Sequence, residues 1–270
     1  MSVLAARPIG THVRRVHLGG VARVLKGLAG VGVGVALWSV LRVTGVLTPR
    51  YVPSFPAIVA AAARGLVNGS LIRPVGATLE AAVLGLLIAT GIGLVAGTLI
   101  GAWRWPAAAA RILIRFLRPV PSVAIIPAAI LAAGLGLKMT LILVVFASVW
   151  PILFNTAYGV RDVPPLYLET GRSLGLSTRR IVVRITAVAA LPSIATGVRV
   201  ATAIALVVTI STELITGAGG LGGYILAMRL AANWPETYAG ILVGGLLGYA
   251  INSLAVTAER RVLVWSAENR

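Results

Sequence analysis

Six stretches of this chain stay apolar for long enough to cross a lipid bilayer, and no other feature narrows the fold as much. A transmembrane α-helix needs about 20 apolar residues. The stretches are Leu25–Leu47, Leu79–Trp103, Val120–Leu135, Thr140–Val160, Pro192–Ile215 and Tyr238–Ala258. In hydrocarbon every backbone N–H and C=O must be satisfied within the segment, which points to an all-α membrane protein of six transmembrane helices. The third stretch is the shortest. Pro119 and Pro121 precede or open it and Pro127 falls inside it, so a kinked or partly unwound helix is expected there. Only 11% of residues are charged, against about 25% in a soluble domain.

The net charge of +17 would suggest nucleic acid on a soluble chain. Here the cations sit between apolar stretches and are not interleaved with aromatics of the kind that stack bases. The rule that cytoplasmic loops are rich in Lys and Arg explains them better. With the N-terminus inside, 17 cations face the cytoplasm: Arg7, Arg14, Arg15, Arg23, Lys26, Arg104, Arg111, Arg115, Arg118, Arg161, Arg172, Arg179, Arg180, Arg184, Arg260, Arg261 and Arg270. Five face outward: Arg50, Arg64, Arg73, Lys138 and Arg229. Arg42 and Arg199 fall within stretches. A multi-pass protein of the cell membrane with both termini cytoplasmic is therefore expected. The first apolar run is too long for a signal peptide and reads as a retained span. Residues 1–24 read as a cytoplasmic tail, 25–265 as a single transmembrane domain, and 266–270 as a second tail. Pro53-Ser54-Phe55-Pro56 and the Ala-rich run after it suggest a short helix along the outer surface.

Helices in lipid associate where small residues let backbones approach. Gly93, Gly97 and Gly101 share one face of the second stretch, and Gly240, Gly244 and Gly248 one face of the sixth. Both read as packing faces, within the subunit or between two copies. Gly217 to Gly222 fits G-x-G-x-x-G, but it follows an apolar helix rather than a strand, which excludes a dinucleotide site. It reads as a tight external turn or a flexible gate. Glu213, near the outer end of the fifth stretch, is costly in a membrane and should face a cavity, pair with a cation or cap the Gly-rich loop. Glu80 opens the second stretch, with Arg73 and Arg199 as candidate partners. Cysteine is absent, and His12 and His17 lie together in a polar N-terminal stretch. No grouping of acids, His and Ser suggests catalysis or a metal site. No G-x-x-x-x-G-K-[ST] sequence occurs, so ATP hydrolysis by that route would belong to another chain.

The longest polar interruption, 161–192, is RDVPPLYLETGRSLGLSTRRIVVRITAVAALP. It is cationic and half apolar. Its spacing suits two short amphipathic helices, with Gly171 and Gly175 loosening the joint. Glu169-Thr170-Gly171, then Gly175 six residues after Glu169, then Ile185 and Leu191-Pro192, resembles the EAA loop of ABC-importer permeases. The form Glu-x-x-Arg172-Ser-Leu174-Gly is similar to the branch that imports nitrate, aliphatic sulfonates and taurine. The resemblance runs from about Pro53 to Trp265. Thr170-Gly171 stands where the family has Ala-Ala, and Val188 where it usually has Pro.

The resemblance implies a type I permease fold in which this loop carries a coupling helix. That helix sits in a groove of a separate ATPase subunit, which would hold ATP and Mg. This chain would then hold no cofactor. Glu169 would cap or pair at the helix start, Gly175 would allow close approach, Leu174 and Leu176 would fill the groove, and Leu191-Pro192 would fix the turn back into the membrane. Glu213, Gly219 and Gly222 match positions beside the translocation path. Two permease copies, two ATPases and an extracytoplasmic binding protein would complete the importer, with a sulfonate, taurine or nitrate-like anion as cargo. A stand-alone secondary transporter or channel is the alternative. It would need intramembrane ionisable groups, and only Glu80, Glu213, Arg42 and Arg199 offer themselves.

Overall fold

The computed structural model describes residues 19–103, 116–117 and 119–263. Three expectations lie outside those residues: the solvated His12 and His17, the cations Arg104, Arg111, Arg115 and Arg118, and the 266–270 tail. The chain divides into two units, Met1–Phe55 and Pro56–Arg270. In the first, helix α1 (Gly19–Val43) is followed by a turn that folds back on its end. There the Arg42 Nε donates to the Val52 carbonyl at 3.0 Å and the Trp38 indole to that of Pro53 at 3.2 Å.

The second unit holds α2 (Phe55–Val67), α3 (Ile72–Ala102), α4 (Ile126–Ala133), α5 (Leu137–Arg161), α6 (Pro165–Ser173), α7 (Thr178–Ile181), α8 (Ala187–Thr216), α9 (Gly220–Leu230) and α10 (Trp234–Val262). Among the described residues four segments are long and apolar enough to cross a membrane: α3, α5, the stretch Thr178–Leu230, and α10.

Small residues decide how these helices pack. Gly85, Ala89, Gly93, Gly97 and Gly101 recur every fourth residue along α3 and lie against α5. A Cβ at Gly93 would stand 2.7 Å from Ile152 Cγ2, and one at Gly97 2.6 Å from the Leu153 carbonyl. The backbones therefore touch, which is how helices gain van der Waals contact where no hydrophobic force separates protein from lipid. Gly85 meets Val144 and Gly101 meets Ala157, so α3 and α5 run parallel. The other side of α5 meets α8 in the same way: Gly159 lies on Ala190 and Ser193, and Gly197 on Pro151 and Asn155. Here the helices are antiparallel, and α5 is the central helix. A Cβ at Gly240 on α10 would stand 2.7 Å from Ile225 Cγ1 of α9, whereas one at Gly244 or Gly248 would make ordinary contact with Leu221 or Leu206. Both glycine faces thus pack within one subunit.

Three boundaries differ from the sequence reading. The third stretch is a 3₁₀ turn, Ser122–Ile125, leading into α4, which has only 8 residues. Pro121 and Pro127 cannot donate within a helix, and Gly134 (φ 72°) ends it. The second stretch begins at Ile72, so Glu80 lies two turns inside α3 and does not open it. The fifth begins at Thr178: α7 runs through a π-helical turn, Val182–Thr186, straight into α8. Pro192 therefore sits inside a helix rather than at a turn. Its missing N–H and the π turn ahead of it concentrate the local irregularity in one place.

Candidate functional site

The two ends of the α8 segment carry the polar residues singled out by the sequence. At its N-terminal end lies the 162–186 loop. Pro165 at the first position of α6 is preset for a helix start. α6 ends in a Schellman turn. Gly175 N–H donates to the Arg172 carbonyl at 2.9 Å, Leu176 N–H reaches back to the Gly171 carbonyl at 3.0 Å, and Gly175 holds φ +70°. A residue with a Cβ is disfavoured at that φ, which gives Gly175 a local reason that the sequence reading did not supply.

Gly171 does not loosen the joint. It is buried, and a Cβ there would stand 2.7 Å from Ile185 Cδ1 and 3.3 Å from Ile181 Cγ1. Ile185 and Ile181 thus hold α6 against the segment that leads into α8. Glu169 lies in the middle of α6, exposed, and caps no helix start among the described residues. Thr170 hydrogen bonds back to the Leu166 carbonyl at 2.8 Å. Leu166, Tyr167 and Leu174 point outward, Leu174 at 73% exposure, while Leu176 is half-buried. Among the described residues, Arg161, Arg172, Arg179, Arg180 and Arg184 have no ion-pair partner. Leu191 and Pro192 lie further along, half-buried within α8.

At the C-terminal end of α8 the arrangement is closed. Glu213 is only 3% exposed. Its Oε2 accepts from the Thr78 hydroxyl at 2.7 Å and from the Gly222 N–H at 3.1 Å. Thr78 Oγ1 in turn accepts from the Leu221 N–H at 2.8 Å. A carboxylate thus caps the first turn of α9, where free N–H groups and the helix dipole favour negative charge. Gly219 and Gly220 take φ +84° and +64° to make the corner. A side chain at Gly220 would run into the Glu213 carboxylate, and one at Gly222 into the Ile210 carbonyl and, at 2.6 Å, the Leu214 nitrogen. Thr78 was not singled out from the sequence; it is one of three threonines in an apolar helix, two residues before Glu80.

Arg199 does not meet Glu80. Its Nε lies 3.2 Å from Glu259 Oε2 on α10, and the Thr196 hydroxyl donates to the same carboxylate at 3.3 Å. Glu80 is exposed. Among the described residues no cluster of His, Cys, Asp and Glu has the makings of a metal site.

Residues 89–263 match the family described as the binding-protein-dependent transport system inner membrane component. The chain is 28% identical over 241 residues to the putative aliphatic sulfonates transport permease protein SsuC of Bacillus subtilis, covering 89% of this chain and 87% of that protein. It is 28% identical to the nitrate import permease protein NrtB of Leptolyngbya laminosa over 70% of this chain and 68% of that one. It is 29% identical to the bicarbonate transport system permease protein CmpB of Synechococcus elongatus over 74% and 72%. Its fold is similar to a chain of the inward-facing MetNI methionine ABC transporter, with a TM-score of 0.62 at 21% identity over 71% of this chain and 95% of that one.

Proposed function

The chain belongs to the binding-protein-dependent transport system inner membrane components, and from that membership we propose how this permease subunit of an ABC importer works. The 162–186 loop is the docking surface for a separate ATPase. The observation that carries this is an exposed, cationic, half-apolar helix whose exit is fixed by a Schellman turn at Gly175. Leu166, Tyr167 and Leu174 offer apolar side chains to a groove. Arg172, Arg179 and Arg180 surround them with charge available to acidic partner residues. Glu169, exposed on α6, reaches the ATPase rather than its own helix. Gly171 with Ile181 and Ile185 transmits motion of α6 to α8, since α7, the π turn and α8 form one continuous segment.

We infer six spans: α3 and α5 run parallel, which calls for a return between them, and α4 with its 3₁₀ turn is assigned to that return. With α1 as the first span, both termini and the loop face the cytoplasm. ATP and Mg stay on the ATPase, whose nucleotide-dependent closure moves the loops and rocks the membrane halves. A second copy of this chain completes the pathway, and an extracytoplasmic protein delivers cargo beside Glu213, Gly219 and Gly222. The cargo is a small anion of the sulfonate, taurine or nitrate type, an inference that rests on what the relatives are named for.

The test is co-purification of the ATPase encoded with this permease, using the intact chain, Glu169→Ala and Gly175→Glu. Recovery with the intact chain and loss with Gly175→Glu is expected. If no ATPase accompanies any form, the docking role fails and a self-sufficient transporter takes its place.

A further inference from the structure

The outward faces of the spans are not alike. Between Ala81 and Ile100 the exposed residues of α3 are all aliphatic or glycine, Val83, Leu87, Ile92 and Val95 among them. Between Ala195 and Ile215 those of α8 are Val200, Ala203, Val207 and Ile215. Such faces suit hydrocarbon. The second half of α10 differs. Tyr249 is 75% exposed, and Asn252 and Thr257 are exposed with it. Tyr249, Asn252, Ser253 and Arg260 follow one another at spacings of three, four and seven, which puts them on one side of the helix.

The Thr257 hydroxyl donates to the Ser253 carbonyl at 2.7 Å and is satisfied there. The Tyr249 phenol and the Asn252 amide have no hydrogen-bond partner among the described residues. Both lie at membrane depth. Asn252 stands about 24 Å of helix rise after Glu236 and about 10 Å before Glu259. Those two acids bracket a length close to the hydrocarbon core of about 30 Å. Lipid tails offer an amide or a phenol nothing to bond, so polar side chains in spans face a bundle interior or water.

Another helix or water could supply the missing bonds, and the shape of the face decides between them. A helix seam in lipid is narrow and lined by small residues, as the contact of α3 with α5 is. Here a tyrosine stands out from the middle of the face, and the polar groups spread over more than two turns. Water fits that surface and a close-packed helix does not.

We propose that the second half of α10 lines the cytoplasmic half of the translocation path, with Tyr249 and Asn252 as uncharged hydrogen-bond donors to the cargo and Arg260 at the inner mouth. This rests on the permease reading and the orientation given above. Arg260, exposed and without an ion-pair partner among the described residues, draws an anion to the mouth. Deeper in, neutral donors hold the anion weakly enough for it to leave, as conduction requires.

The experiment is cysteine labelling in inside-out membrane vesicles that hold the full transporter complex. The chain has no cysteine, so an introduced thiol is the only one on it. Tyr249→Cys and Asn252→Cys are treated with sulfonatoethyl methanethiosulfonate, a small organic sulfonate that does not cross lipid. Val95→Cys, exposed on α3 at a like distance from its cytoplasmic end, is the lipid-facing control. The thiolate is the reactive form and apolar surroundings suppress it, so labelling at least about tenfold faster at Asn252→Cys than at Val95→Cys is expected. The mass of the permease reads the label. Tyr249→Cys should behave alike and carries the test if Asn252→Cys does not fold. Labelling no faster than at Val95→Cys overturns the proposal. So does a disulfide between two Asn252→Cys chains in place of labelling, because a second copy then covers the face. ATPase recovery is a separate readout: where it persists and labelling fails, the permease reading stands and only the assignment of α10 falls.

Discussion

The two ends of the α8 segment are built on opposite rules. At the far end the chain completes itself: Glu213, Thr78 and the first N–H groups of α9 satisfy one another out of contact with solvent. Glycines there are required by atoms of the same chain. At the loop end the chain leaves itself unfinished. Its arginines have no acidic partners among the described residues, and Leu174 stands in the open. A closed polar network is what a membrane interior demands, because an unpaired group there is costly. An exposed apolar and cationic helix is what an interface with another protein demands. The contrast separates residues that hold the subunit together from residues that connect it to something else.

The sharpest way to break this contrast is at the corner itself. Gly222→Leu places a side chain against the Ile210 carbonyl and the Leu214 nitrogen, backbone atoms that cannot rotate away. Overpacking of this kind costs about 1–3 kcal/mol or more. The variant is expected to lose most of its monodisperse protein in size-exclusion chromatography. If it purified as the parent does, the α8–α9 corner would not be the fixed element described.

Next in size is Glu213→Ala, which leaves the Thr78 hydroxyl and the Gly222 N–H without their acceptor. A buried group stranded in this way costs about 1–3 kcal/mol. A melting temperature lowered by several degrees is expected, with Glu213→Gln recovering part of the loss because an amide oxygen still accepts. Equal melting of Ala and Gln variants would show that the contacts contribute nothing.

How much of this was open to sequence reasoning divides along the same line. Long apolar runs and a charge bias are one-dimensional properties, so the spans and the cationic loop stand out without coordinates. The four-residue glycine spacing also placed a packing face correctly, though not its partner helix. The capping network was hidden because Thr78 and Glu213 are 135 residues apart. The sequence left Arg73 and Arg199 as open candidates for Glu80, and the acid that Arg199 does meet was hidden for the same reason: Glu259 lies on a helix that only the antiparallel packing of α10 brings near. Pro192 misled in a different way. Proline in water ends a helix, but within a bundle a π turn ahead of it absorbs the mismatch, and the helix continues.

A smaller effect on folding separates Gly175→Ala from both corner variants. The Schellman turn holds φ +70°, which a Cβ makes about 1 kcal/mol worse. Nothing lies within 4 Å of a Cβ there, so no clash adds to it. A melting temperature lowered by at most a few degrees is expected, with a larger fractional loss of ATPase recovery because the exit angle of α6 changes. A variant that melts as the parent does and still recovers full ATPase would remove Gly175 from the docking surface.

The smallest expected effect on stability is the most informative about the loop. Arg179→Glu and Arg180→Glu together alter two exposed side chains that form no ion pair among the described residues. Surface changes of this kind stay within about 0.5 kcal/mol, so the melting temperature should not move. Association with the ATPase is a different quantity. Interfacial charges act through complementary potentials that salt screens over a Debye length. If these arginines meet acidic residues of the ATPase, reversing them should slow association and flatten its dependence on ionic strength. Surface plasmon resonance at two salt concentrations measures both. An unchanged association rate with an unchanged salt dependence would assign the two arginines to lipid headgroups instead. The docking surface would then shrink to Leu166, Tyr167, Glu169 and Leu174, and the loop end would be apolar at its centre with its charge turned to the membrane.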